Sequence, residues 1–194
     1  MQDNLEKLLK QIRSCTYCQD VLPQRVNPVL AAASDSKILL AGQAPGLRVH
    51  KSGIPWNDPS GDRLREWLGV TKNEFYNRHL FAIVPMGLCY PGKNKNGDLP
   101  PRKECAQLYF EELFQLMPKV ELKIVIGRYA QEYHLRTTDN KSLTESVKNW
   151  KTYLPGSIVL PHPSPRNVAW FRKNPWFEKE ILPYLKQRIK MIID

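Results

Sequence analysis

Residues 37–46 read Lys-Ile-Leu-Leu-Ala-Gly-Gln-Ala-Pro-Gly, and this stretch decides how the chain is built. Lys37–Ala41 is a short aliphatic run without polar alternation, as expected of a strand covered on both faces. Gly42 stops it and Pro45 and Gly46 turn the chain, so the polar side chain of Gln43 is presented just past the end of a buried strand. Working outward, Leu80–Val84, Lys123–Ile126 and Ser157–Leu160 are similar apolar runs, the last ended by Pro161.

Amphipathic segments separate these runs. Asn4–Arg13 is a helix; a second is capped by Ser60 or Asp62, carries Leu64, Trp67 and Leu68 on one face and stops at Gly69. Arg102–Leu116 places Cys105, Leu108, Tyr109, Leu113 and Leu116 at helical intervals, Tyr129–Leu135 is a short helix, and Pro175–Ile193 is a final amphipathic one. Thr137–Lys151 is polar and aperiodic and is read as loop, as is the Pro-, Gly- and Asn-rich stretch from Pro85 to Gly97. Strands alternating with helices predict a three-layer α/β fold: one domain over residues 1–194, with a central four-stranded, mainly parallel sheet flanked by helices. The segments after strands one, two and four gather at the carboxyl edge of such a sheet, where ligands bind.

The chain carries 29 Lys and Arg against 19 Asp and Glu, a net charge of +10, which favours a polyanionic partner such as single- or double-stranded DNA but equally describes a solvated basic surface. Arg166, Arg172, Lys173, Lys93 and Lys95 lie near Trp170, Phe171, Trp176 and Tyr90, the pairing of residue types that phosphate neutralisation and base stacking need. With 42% hydrophobic and 25% charged residues the composition is globular. No run is long and apolar enough to span a bilayer, and the N-terminal residues lack the apolar core of a secretory signal, so a cytoplasmic monomer with no membrane partner is expected.

Four cysteines occur, Cys15 and Cys18 as a C-x2-C pair, then Cys89 and Cys105. In a cytosolic protein four thiolates suit zinc or an iron–sulfur cluster better than disulfides, and by spacing alone four unconnected cysteines are nearly as good a reading. Two loops carry the sharper signal: Gly42-Gln43-Ala44-Pro45-Gly46, and His162-Pro163-Ser164-Pro165-Arg166-Asn167 after the fourth strand. Taken singly, the first is a structural turn; the second is the stronger signal because it follows an apolar strand at the edge where ligands sit, with a helix-capping histidine as its alternative; and Trp56, in Ser52-Gly53-Ile54-Pro55-Trp56, is by itself a core residue.

Jointly and in this order, the three segments resemble the motifs of the uracil-DNA glycosylase superfamily: its water-activating GxxPG loop, its base-stacking aromatic and its leaving-base loop, the last worded most like single-strand-selective members. The cysteines are similar to those of the iron–sulfur branch, with 70 residues (19–88) between the second and third and 15 (90–104) between the third and fourth. The resemblance implies a uracil-DNA glycosylase-like fold, excision of a flipped-out base with uracil the first candidate, and a [4Fe–4S] cluster on Cys15, Cys18, Cys89 and Cys105, with zinc as the alternative. It implies that His162 stabilises the departing base, that Gln43 orients water, and that Gly42, Ala44, Trp56 and Pro85 surround the base. Pro45, Gly46, Ser164, Arg166 and Asn167 would meet the DNA.

Two residues depart from the pattern. Gln43 stands where several branches have an acidic residue or asparagine, and it cannot act as a base. Pro85 stands where close relatives have an asparagine that reads the uracil edge, and it offers neither an amide side chain nor an N–H. A DNA-binding or damage-recognition module with the same fold and little or no glycosylase activity is therefore the alternative reading.

Overall fold

The computed structural model describes residues 1–95, 97–135 and 142–194. The chain runs through α1 (Gln2–Arg13), β1 (Ile38–Ala41), α2 (Leu47–Ser52), α3 (Pro59–Leu68), α4 (Lys72–Tyr76), β2 (Phe81–Ile83), β3 (Lys93–Asn94) and β4 (Gly97–Asp98). It continues through α5 (Glu111–Gln115), β5 (Leu122–Ile126), α6 (Arg128–His134), α7 (Leu143–Lys148), β6 (Ser157–Leu160), α8 (Val168–Lys173) and α9 (Leu182–Ile193).

Strands β2-β1-β5-β6 form one parallel sheet in that order, with Ile38 paired to both Phe81 and Leu122 and Ile126 paired to Leu160. The aliphatic run of β1 is divided between two cores, which is why it shows no alternation. Ile38 and Leu40 pack with Leu64, Trp67, Phe177 and Leu185 on one side, and Leu39 and Ala41 with Leu5, Leu9, Phe110 and Leu113 on the other. This is the three-layer α/β fold expected. The edge beside β2 is covered by the segment around Ala31, whose N–H and carbonyl both bond Ile83, at 3.0 and 2.7 Å.

Local chemistry sets the helix ends. The cap of α3 is neither Ser60 nor Asp62, both of which lie inside the helix. Asp58 accepts the Gly61 N–H at 2.8 Å with Pro59 in the first turn, and Gly69 at φ 70° ends the helix. The segment read as one helix over Arg102–Leu116 begins as a π-turn at Ala106–Phe110 before α5. The last helix likewise passes through a π-turn, Phe177–Ile181, directly before Pro183, whose missing N–H cannot extend a regular α ladder. Within the polar stretch read as loop, residues 137–141 lie outside the described residues, but Ser142 and Glu145 form a reciprocal capping box that starts α7. The long loop after β2 also holds structure, the antiparallel hairpin β3–β4 with Lys93 opposite Asp98.

Candidate active-site cleft

The turns after β1, β2 and β6 enclose a cleft of about 230 Å³, below the ~300–1,000 Å³ of drug-sized sites and on the scale of one nucleobase. The loops around Gln43 and His162 face each other across it. Gly42, Ala44, Pro45 and Gly46 come from the first turn, Pro85 from the second, and Ser164 and Arg166 from the third. Trp56 completes the wall, and Asp58 and Asp98 also line it. Asn167 does not line the cleft; its amide donates to the His162 carbonyl at 2.8 Å, bracing the loop from behind.

The first turn is held by continuation of the β1–β2 ladder. Val84 N–H donates to Leu40 O at 3.0 Å, and Met86 N–H to Gly42 O and Gly87 N–H to Gln43 O, both at 2.9 Å, so Pro85, which has no N–H, sits between the bonded Val84 and Met86 and lines the cleft. The Gln43 side-chain amide donates to Leu99 O at 3.2 Å. A Cβ at Gly42 would crowd the Trp56 indole, at 3.0 Å.

Trp56 has φ 54°, the left-handed region that a bulky residue enters at a cost of about 1–3 kcal/mol. Its carbonyl oxygen lies only 1.8 Å from where a Cβ on Gly61 would stand, so α3 can approach only with glycine at that position. Arg65 donates to the same carbonyl at 3.4 Å.

His162 accepts the Ser164 backbone N–H on Nδ1 at 3.1 Å. The other nitrogen, Nε2, therefore carries the ring proton and acts as a donor. Burial pushes the imidazole pKa below its usual value, with Asp58 and Asp98 opposing the shift, so the ring is neutral at pH 7. Ser164 Oγ accepts from Arg166 N–H at 3.2 Å, and Arg63 donates to the carbonyls of Pro163 and Ser164 at 3.5 and 3.4 Å.

The four cysteines are free thiols gathered from three parts of the chain. Each of the six pairs among them interacts electrostatically. Burial, more than this mutual repulsion, pushes the Cys89 thiol up to about 12. Arg102 acts electrostatically on Cys18 and Tyr109 on Cys15, and Leu88 N–H donates to Cys105 Sγ at 3.5 Å. Arg102 Nε is buried with no partner among the described residues, next to these sulfurs. No three Cys, His, Asp or Glu side chains among the described residues converge as ligands of one ion. Four thiols are the donor set that an iron–sulfur cluster takes, and each of these lies within electrostatic range of the other three.

The aromatic residues read as a stacking face are used differently. Tyr90 is buried near His50, and Trp170 packs edge-on to Phe171, Trp176 and Phe177 while its Nε1 donates to Thr144 Oγ1 at 2.8 Å. Trp170, Phe171 and Trp176 are half-buried and pack against the core, while Arg166, Arg172 and Lys173 are exposed. Sequence reasoning missed Asp58, Asp98 and Arg63. The Asp-Pro-Ser-Gly stretch did carry a cap signal for Asp58, whereas Asp98 sat in a stretch read only as loop. No helix among the described residues is long and apolar enough to cross a membrane.

A family model described as the Uracil DNA glycosylase superfamily matches residues 29–186. The chain is 25% identical over 174 residues to a Type-4 uracil-DNA glycosylase of Sulfurisphaera tokodaii, covering 84% of this chain and 75% of that protein. It is 24% identical over 155 residues to a Type-4 uracil-DNA glycosylase of Archaeoglobus fulgidus, covering 78% and 73%. A solution structure of a putative uracil DNA glycosylase from Methanosarcina acetivorans aligns with a TM-score of 0.47 at 18% identity, covering 83% of this chain and 98% of that one.

Proposed function

The chain belongs to the uracil-DNA glycosylase superfamily, and from that premise we propose that it is a DNA glycosylase hydrolysing the N-glycosidic bond of a flipped-out damaged base, as the first step of base-excision repair. The observation that carries the reading is that Gln43, Trp56 and His162 share one cleft of nucleobase size. Uracil is the first substrate expected, and deaminated purines are the next, because Pro85 leaves the base edge unread by any side chain of the second turn.

The reaction needs the base out of the stack, a place for the negative charge it acquires, and a positioned water. Trp56 stacks on the extruded base. His162, with Nδ1 occupied by a backbone N–H, directs its Nε2–H to a base carbonyl oxygen that becomes anionic as the C1′–N bond breaks. Asn167 and Arg63 hold the backbone of that loop, so the donor is set in place before substrate arrives. Ser164 and Arg166, with Pro45 and Gly46 opposite, meet the phosphates and the groove vacated by the nucleotide. Gln43 orients water without taking its proton.

Cys15, Cys18, Cys89 and Cys105 would hold a [4Fe–4S] cluster, with the buried Nε of Arg102 as a donor toward its sulfur atoms. When bound, such a cluster ties together the segment after α1, the loop after β2 and the start of the π-turn. We further read the protein as a cytoplasmic monomer acting on single- or double-stranded DNA.

The test is a panel of single- and double-stranded oligonucleotides bearing uracil, hypoxanthine or xanthine, scored for abasic sites. Excision of at least one lesion is expected. Tight DNA binding with no lesion processed would replace this reading by a damage-recognition module.

A further inference from the structure

Deepening the glycosylase reading, we propose that Asp98 is a catalytic residue: its carboxylate holds the attacking water, takes a proton from it, and faces the positive charge that develops on the sugar. The first turn cannot supply this group, because Gln43 is an amide and its Nε2 is already donated to Leu99 O at 3.2 Å. His162 cannot accept the proton either, since Nδ1 takes the Ser164 N–H at 3.1 Å and Nε2 is protonated. Two carboxylates line the cleft. Asp58 is tied to the fold through Oδ1, which accepts the Gly61 N–H at 2.8 Å as the cap of α3. Among the described residues Asp98 caps no helix, and the five ion pairs all use other acids.

The position of Asp98 is set by its surroundings. An Oδ of Asp98 lies 3.9 Å from where a Cβ on Gly46 would stand, and the carboxylate, like that of Asp58, acts electrostatically on His162, so it stands beside the first turn and within electrostatic range of the third. The neighbouring Gly97, at φ 130°, would place a Cβ 3.0 Å from Arg166 Nη1, and Leu99 N–H closes the hairpin on Gly92 O at 2.9 Å. An exposed acid at the mouth of a cleft meant for a polyanion repels phosphate, a cost that a role in the chemistry explains.

The step balances. The water oxygen forms a bond to C1′, the C1′–N pair leaves with the base and is stabilised by His162, and the water proton passes to the Asp98 carboxylate and on to solvent, which protonates the released base.

The test compares single-turnover excision and abasic-DNA affinity for wild type, Asp98→Asn, Asp98→Ala and His162→Ala. Asp98→Asn is expected to slow excision by ~10²-fold or more, with affinity equal or tighter and the thermal midpoint unchanged, and formate is expected to restore part of the rate in Asp98→Ala. A purely structural residue would not respond to formate. An active wild type with Asp98→Asn within about threefold of it overturns this inference alone. A wild type that excises nothing from the lesion panel overturns the glycosylase reading and this inference with it.

Discussion

The indole of Trp56 lies 5.5 Å, centroid to centroid, from the imidazole of His162, inclined to it by 33°. The residue proposed to stack on the base and the residue proposed to stabilise its departing charge are thus neighbours in one cleft. Removing the first should affect substrate capture and removing the second the chemical step. Trp56→Ala is expected to weaken binding of lesion-containing DNA by about 1–3 kcal/mol, measured by fluorescence anisotropy, with Trp56→Phe recovering most of it.

His162→Ala is expected to lower single-turnover excision by ~10²–10³-fold while DNA affinity changes only modestly. Asn167→Ala, which removes only the brace on the His162 carbonyl at 2.8 Å, should give an intermediate loss of rate. Full activity in His162→Ala would remove the imidazole from the mechanism.

The carbonyl of Trp56 makes Gly61, in the helix behind the cleft wall, the glycine least able to accept a side chain. Gly61→Ala places a methyl 1.8 Å from that oxygen, so either α3 or Trp56 must move. We expect a loss of roughly 2–4 kcal/mol in a denaturant titration. The loss of excision should exceed that of Trp56→Phe.

Burial pushes His134 down to about 4, and its Nε2 is buried without a partner among the described residues. The folded chain therefore excludes a proton that the unfolded chain binds below its ordinary pKa near 6.5. Between those values the unfolded state holds more protons, so stability is intact above pH ~6.5 and falls as the pH drops toward 4. The loss is of order 2–3 kcal/mol, and urea midpoints at pH 7 and 4.5 should diverge in wild type and converge in His134→Phe. Equal divergence in both would assign acid sensitivity elsewhere.

Anaerobically purified protein is expected to be brown with about four irons per chain. Cys105→Ala or Cys15→Ala should bleach the visible absorbance and lower the thermal midpoint. A colourless protein with one zinc would keep the site and replace the cluster.

The layers of the fold were legible because β1, β5 and β6 are too apolar to be anything but central strands and α1 repeats its leucines at helical spacing. The short helices α2, α4 and α8 were not legible, since five or six residues are too few to show a period. The cleft was legible through Gln43, Trp56 and His162 because each follows a strand or a glycine turn in motif order. Asp98 was not, because it reaches the cleft only through pairing of Lys93 with Asp98 across a hairpin whose composition reads as loop. The packing of the aromatics around Trp170 was not legible for a related reason: sequence proximity to arginine does not say which face of a helix carries the rings.

The hydrogen bond from Ser164 N–H to His162 Nδ1 also fixes what sort of leaving group the cleft can serve. A neutral imidazole whose second nitrogen is committed to the backbone can solvate an anion but will not surrender its own proton to one. The expelled base must therefore survive as a conjugate anion until it meets solvent. Turnover should consequently track the acidity of the ring nitrogen being released, favouring oxidised or deaminated rings such as uracil and xanthine over adenine, whatever their size.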